Sequence, residues 1–196
     1  MIRLFTALCK ALLEITASDE QLFNDATKTF CYHDAKCPNC GASGKLVPHG
    51  RYTRDLLSFE GGSPLDQYVE PLRFKCRSCK SSHSLLPDIL VPYSRYSLRF
   101  KLNVLIAYFE REMTVKAICE YFVIAVSTLY EWKKRLLVHK DLMLGVLISL
   151  KKDALGFLRA LLGSFPLSGC LRDFFRRYAF SFLQHQSASA ARSRPP

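Results

Sequence analysis

Two cysteine pairs, Cys37-Pro38-Asn39-Cys40 and Cys76-Arg77-Ser78-Cys79, stand in this chain with 35 residues between them. A C-x2-C turn aims both of its sulfurs at one centre, and two such turns supply the four thiolates of a closed tetrahedral zinc site, with bonds of about 2.3 Å. Four protein ligands leave no position for water or substrate, so one Zn²⁺ held by Cys37, Cys40, Cys76 and Cys79 is expected to be structural. The residues after each pair suit a metal knuckle: Gly41 and Gly44 follow the first, and Lys80-Ser81-Ser82 follows the second. The intervening segment is too long for a compact finger and fits a zinc ribbon over residues 31–92, in which strands join the knuckles. A thiol redox pair is the alternative, but it needs only one C-x-x-C in a βαβ setting, and neither pair has that context. His83, four residues after Cys79, reads as a surface residue rather than a substitute ligand, and Cys31 with His33 makes a weaker ligand pair still.

Between the knuckles, Lys45 to Phe59 and Gln67 to Lys75 read as strands joined by a turn at Gly61-Gly62-Ser63-Pro64. Strict alternation in the second strand would put Tyr68, Leu72 and Phe74 on one face and Val69, Arg73 and Lys75 on the other. Ser82 to Leu86 reads as a short third strand ended by Pro87, and Pro87 and Pro92 frame a stiff connector. Upstream, residues 1–30 are expected to hold a helix with Leu4, Leu8, Leu12 and Ile15 on one face, followed by a polar connection from Ser18 to Lys28.

From Ser97 the apolar period changes from 2 to 3.6. Ser97 is placed to cap a helix burying Leu98, Leu102, Leu105, Ile106 and Phe109. Thr114 is placed to cap a short second helix with Val115, Ile118, Cys119 and Phe122 inward. A third helix is expected to begin at Ser127 or Thr128, with Thr128 and Glu131 at capping-box spacing, and to bury Leu129, Trp132 and Leu136. Three helices with a tight second link define a helix-turn-helix over residues 93–140. Val123 falls at the turn, where glycine is usual, so a strained or wider turn is expected.

The formal net charge is +11, and its placement matters more than its size. Residues 1–72 carry 7 basic and 9 acidic groups, residues 73–140 carry 13 and 5, and residues 141–196 carry 8 and 3. A concentrated basic segment is the electrostatic footprint of a nucleic-acid surface, although cations also simply solvate a protein. Once the buried stripe of the third helix is removed, Ser127, Thr128, Tyr130, Glu131, Lys133 and Lys134 remain on its outer side. Thr128, Tyr130 and Glu131 are the candidates for base contact, and Lys133, Lys134 and Arg135 for phosphate contact. Arg95, Arg99 and Lys101 are candidate backbone clamps. Arg73, Lys75, Arg77 and Lys80, beside the metal, serve either DNA or the anionic thiolate cluster.

Residues 141–186 are rich in Leu and Phe and read as two or three helices broken near Gly163 to Gly169. Phe174, Phe175, Tyr178, Phe180 and Phe182 need a cover, either the rest of the protein or a second copy, and this makes the segment the candidate homodimer interface. A membrane-surface helix through Arg172, Arg176 and Arg177 is the lesser alternative. Residues 187–196 are low-complexity and expected to be disordered. Met1 to Ala17 is broken by Arg3, Lys10 and Glu14 and lacks a small-residue cleavage site. The uncharged runs Leu142–Leu150 and Ala160–Leu171 fall short of the roughly 20 residues that span a bilayer. The expected location is the cytoplasm, associated with the nucleoid, with Cys9, Cys31, Cys119 and Cys170 reduced.

Residues 37–137, a four-cysteine ribbon followed by a helix-turn-helix, resemble the amino-terminal half of bacterial insertion-sequence transposases. Cys37 to Cys40, Leu85-Leu86-Pro87-Asp88 with Val91-Pro92-Tyr93, and Tyr130-Glu131-Trp132-Lys133 are similar to an uncharacterised bacterial family of stand-alone, transposase-related proteins. The resemblance implies duplex-DNA binding linked to mobile elements and carries over no activity. The expected fold is mainly α with a small β zinc ribbon. The expected function is DNA recognition without a catalytic domain, membrane partner or small-molecule substrate. The competing readings are a transcriptional regulator, an RNA- or protein-bridging ribbon, and an active transposase. The last needs a carboxylate cluster holding two metal ions, and after the helix-turn-helix only Asp141, Asp153 and Asp173 remain, on helical segments.

Overall fold

Short strands bracket each cysteine pair, and their register shapes the amino-terminal half. The computed structural model describes residues 1–4, 17–144, 153–163 and 167–185. The expected helical positions Leu8, Leu12 and Ile15, most of the run 142–150 and the tail 187–196 lie outside them. The segment after the first knuckle forms β2 (Leu46–Arg51), and the segments before and after the second form β5 (Leu72–Cys76) and β6 (Ser82–Pro87). β5 lies antiparallel between β2 and β6, with Leu46 opposite Cys76 and Phe74 opposite His83. A fourth strand, β1 (Ile2–Leu4), adds to β6 in parallel, which gives the order β1-β6-β5-β2. The chain therefore opens on a strand where a helix was expected.

The remaining two strands, β3 (Arg54–Glu60) and β4 (Ser63–Val69), form a separate hairpin. Its two-residue turn has Gly61 at φ 58° and Gly62 at φ 80°, the paired left-handed geometry that matches strand twist and favours glycine. The expected strand Lys45–Phe59 is thus two strands, and Gln67–Lys75 joins the end of β4 to β5 across Glu70-Pro71. That break resets the alternation: Val69 is buried, while Tyr68, expected to share a face with Phe74, is 67% exposed. With six strands beside six helices among the described residues, the fold is mixed α and β, not mainly α.

Residues Asp19–Lys28 form α1, so the expected polar connection is a helix. Its start was legible: the Gln21 amide donates to the Ser18 hydroxyl and the Ser18 amide donates to the Gln21 side chain, a reciprocal capping box. Phe23 of α1 joins Leu56, Val69, Leu86, Ile89 and Leu90 in one small core. A second small core beneath the knuckles holds Ile2, Leu46, Phe74 and Leu85 with the side chains of Cys37 and Cys76.

The largest core belongs to the helices. α2 (Leu98–Glu110) is capped by Ser97, whose hydroxyl accepts from the Phe100 amide 3.0 Å away, and it is buried around much of its circumference. α3 (Val115–Tyr121) is capped by Thr114, and α4 (Val126–Leu144) follows after a four-residue link. Leu129, Trp132 and Leu136 of α4 face inward as their spacing requires. α5 (Ala154–Gly163) and α6 (Leu167–Tyr178) close over the other side. Phe157, Phe174 and Phe182 are buried in this same core, and the Tyr178 hydroxyl donates to the Leu142 carbonyl at 3.1 Å. The rings expected to need a cover, from the rest of the protein or from a second copy, are largely covered within the protomer. No helix among the described residues is long and apolar enough to cross a membrane.

Residues 88–91, expected as a connector, are all buried. The Leu98 amide donates to the Ile89 carbonyl, the Leu57 amide to the Arg95 carbonyl and the Ser97 amide to the Leu57 carbonyl, so the hairpin and the start of α2 are tied together.

Candidate functional site

The two knuckles have the same backbone design. In the first, the Gly41 amide donates to the Cys37 carbonyl at 2.9 Å and the Cys37 amide to the Ala42 carbonyl at 3.0 Å. In the second, the Lys80 amide donates to the Cys76 carbonyl and the Cys76 amide to the Ser81 carbonyl, both at 2.9 Å. The residue after each second cysteine adopts positive φ: Gly41 at 73° and Lys80 at 63°. A hydrogen bond from the Arg77 amide to the Lys45 carbonyl and one from Asn39 Nδ2 to the Ser81 hydroxyl lock the two knuckles together.

This framework brings all four sulfurs within 4.8 Å of one another. Cys37 Sγ lies 3.6 Å from Cys79 Sγ, and Cys40 Sγ lies 3.7 Å from Cys76 Sγ. The edge of a tetrahedron with metal–sulfur bonds of 2.3 Å is about 3.8 Å, so the donor set fits a metal ion with little movement. Its electrostatics also favour one. The Cys79 thiol is held down to about 5 by the Ser81 hydroxyl and amide and by Asn39, which makes it a thiolate at neutral pH. Cys40 is pushed up to about 11: the Ala42 amide works to lower it, but burial and the neighbouring sulfurs override that pull. Thiolates gathered this closely repel one another, and a cation at their centre relieves that repulsion.

His83 is buried, not on the surface as expected. Its Nε2 lies 3.3 Å from Cys37 Sγ and its Nδ1 lies 3.2 Å from the Met1 amino group. The pairing of β6 with β5 sets this, because His83 lies opposite Phe74 on the inward face.

A domain of unknown function, DUF6431, covers residues 37–132. The match opens on the first cysteine of the cluster and ends on Trp132, so it spans both knuckles, α2, α3 and the first part of α4. It carries no link to transposases. No curated protein and no solved structure matches the chain.

The helical part of the DUF6431 domain places the predicted DNA-contact residues unevenly. Ser127, Tyr130 and Lys134 lie exposed on the outer side of α4, and Thr128 is half-buried. α4 begins at Val126, before the expected start, and Glu131 is not a cap: Arg135 Nε donates to its carboxylate at 2.8 Å. That contact holds the Glu131 carboxyl below its ordinary range. Lys133 Nζ donates to the Tyr108 hydroxyl at 2.7 Å and lies against the Tyr108 and Tyr130 rings. Arg95 pairs with Asp66 on the hairpin.

Arg99 and Lys101 are corrections. Both are buried and face away from any surface a phosphate could reach. Arg99 Nε lies 2.8 Å from the Asp19 carboxylate, and Arg99 also donates to the Ala17 carbonyl at 3.1 Å. The Asp19 amide in turn donates to Glu60, so one cation joins α1, the hairpin and α2. Burial pushes the Asp19 carboxyl above its usual range, against the pull of Arg99. Lys101 Nζ reaches the Leu183 carbonyl at 3.4 Å.

The link between α3 and α4 is strained as expected. Val123 sits at φ 52° and is 72% exposed, a left-handed β-branched residue where glycine would sit without cost. The three late acids have local roles: Asp153 accepts from the Gly156 amide, Asp141 pairs with Lys140, and Asp173 pairs with Arg176.

Proposed function

We propose that this chain is a transposase-related DNA-binding protein that lays α4 in the major groove of duplex DNA and uses one structural zinc ion to hold its amino-terminal ribbon. The observation that carries this reading is the α2–α3–α4 arrangement. A short capped helix and a four-residue link present α4 with Leu129, Trp132 and Leu136 anchored inside, while Val126, Ser127, Tyr130 and Lys134 face out from its first half. In a helix-turn-helix protein that half of the second helix meets base edges. Tyr130 and Ser127 are the base-contact residues of this reading, Thr128 a partial one, and Lys134 the phosphate contact. Four thiolates at tetrahedral spacing favour zinc over harder, oxygen-seeking cations, and a saturated thiolate set suits bracing rather than catalysis. The chain then recognises DNA in the nucleoid and leaves bond-breaking to another protein.

The test is selection of bound duplexes from a random pool with the zinc-loaded full chain, followed by Tyr130→Ala. A defined site enriched by the wild type and lost in the variant supports the proposal. The absence of both enrichment and binding in dilute buffer refutes it.

A further inference from the structure

The sequence spreads the basic excess over residues 73–140, and in the helix-turn-helix part of that segment the structure neutralises much of it. Arg95 pairs with Asp66, Lys116 with Glu120, Arg135 with Glu131 and Lys140 with Asp141, while Arg99 and Lys101 are buried. The ribbon is the opposite case. Residues 36–53 and 71–87, which make the knuckles, β2, β5 and β6, contain seven Lys and Arg and no Asp or Glu. None of these seven takes part in a salt bridge among the described residues, and all are exposed except Lys75, which is partly so.

Sheet register collects part of this charge on one face. Arg73 and Lys75 alternate with the buried Phe74 and Cys76, so both point away from the small core under the knuckles. Lys75 lies between Val47 and Ser82 on the neighbouring strands, and Arg73 lies beside Ser84. The face therefore offers two cations with two hydroxyl donors beside them, and the Arg73 guanidinium is steadied over the Tyr52 ring at 4.4 Å. At its knuckle end, the hydrogen bond from Arg77 to Lys45 holds two further cationic residues side by side, with Lys80 on the next turn. A four-thiolate site with a divalent ion carries a formal charge of about 2− and accounts for two cations at most. Among the described residues the remainder form no ion pair.

We infer that the outer face of the β2–β5–β6 sheet, centred on Arg73 and Lys75, is a second DNA-contact surface that grips the phosphate backbone without reading sequence. This rests on the DNA-binding reading above and adds a division of labour: the ribbon supplies most of the salt-dependent affinity and α4 supplies the discrimination. Backbone contacts by Lys and Arg release condensed counterions, whereas an exposed tyrosine or serine on a helix releases none.

The experiment measures the salt dependence of binding by the zinc-loaded full chain, on its selected duplex and on a scrambled one, for the wild type, Arg73→Gln with Lys75→Gln, and Tyr130→Ala. The double variant should lower the slope of log affinity against log salt by about 1.8 on both duplexes, at about 0.9 per lost contact, and keep the ratio between them. Tyr130→Ala should reduce that ratio and leave the slope unchanged. Zinc content and Trp132 fluorescence report whether each variant is folded, and Lys45→Gln with Lys80→Gly provides an independent pair with the same expected change. An unchanged slope in both folded double variants, with wild-type binding intact, overturns the ribbon surface and leaves the α4 reading standing. Failure of the wild type to bind any duplex at low salt removes the α4 reading and this inference with it.

Discussion

Lys101 is 1% exposed near the start of α2, with its ammonium 3.4 Å from the Leu183 carbonyl and 5.3 Å from the Trp132 ring. Burial, and then the fields of Arg135 and Arg54, push it down to about 7 from the 10.5 of a free lysine. Below the folded value the lysine is charged in both states, and the fold bears the whole penalty, about 4–5 kcal/mol. Between the two values folding expels a proton, so stability rises with pH, and above the free value the penalty is gone. Lys101→Met keeps an unbranched apolar stem of similar length and removes the charge. At pH 7 it should stabilise the helical half by about 2–4 kcal/mol, less than the full penalty because the carbonyl and ring contacts are lost too. The advantage should shrink by about 2 kcal/mol between pH 7 and pH 9, as the wild-type lysine discharges within the fold. Urea unfolding of the zinc-loaded protein reads this directly, because Trp132 is the chain's single tryptophan and lies beside the substituted position. DNA affinity should not change. A variant less stable than wild type at pH 7, or an equal difference at both pH values, would refute this account of the buried ammonium.

His139 gives the acid-side counterpart. Burial pushes it down to about 4, and its Nδ1 accepts from the Leu183 amide at 2.9 Å, so stability present above the free histidine value near 6.5 should fall by about 3 kcal/mol as pH drops towards 4. His139→Asn should flatten that limb in the same urea assay, and an unaltered limb would count against it. Chelation of the metal or Cys76→Ser should remove amide-exchange protection from β2, β5 and β6, because among the described residues their shared core fully buries only four apolar side chains besides cysteine; protection unchanged after metal stripping would contradict a structural ion. Val123→Gly should raise stability by about 1 kcal/mol by relieving the left-handed valine, as read by a higher urea midpoint at unchanged m-value.

What the sequence disclosed follows the range of the interactions involved. The knuckles were legible because ligand stereochemistry is local: a C-x2-C turn fixes its own hydrogen bonds, and Gly41 is already present for the left-handed position. The caps at Ser97 and Thr114 and the inward stripe of α4 were legible for the same reason, since three or four residues decide each. Tyr68 was misassigned because Glu70-Pro71 interrupts the alternation, and a period-2 pattern read across a break inverts every face beyond it. Ser18 and Gln21 carried a capping-box signal for α1 that the polar composition around them obscured. His83 was misread because its burial depends on its place opposite Phe74 and on Met1, which reaches it from the start of the chain.

Arg99 and Lys101 show where such reading stops. On an isolated amphipathic helix two long cations spaced two apart read as solvent-facing, and two residues apart they point to different sides of α2. Both are buried because α2 is covered on several sides: by α1 and the hairpin at Arg99, and by α4 and the segment after α6 at Lys101. Only the tertiary structure supplies Asp19 and Glu60, which are 80 and 39 positions from Arg99. The consequence reaches the proposed function. A charge count along the chain credits α2 with phosphate contacts it cannot make. Seven cations outside any ion pair among the described residues lie around the cysteine cluster, where the sequence left open whether they serve DNA or the thiolates. Net charge along the chain points to residues 73–140, but ion pairing and burial decide which of its cations stay available to a polyanion.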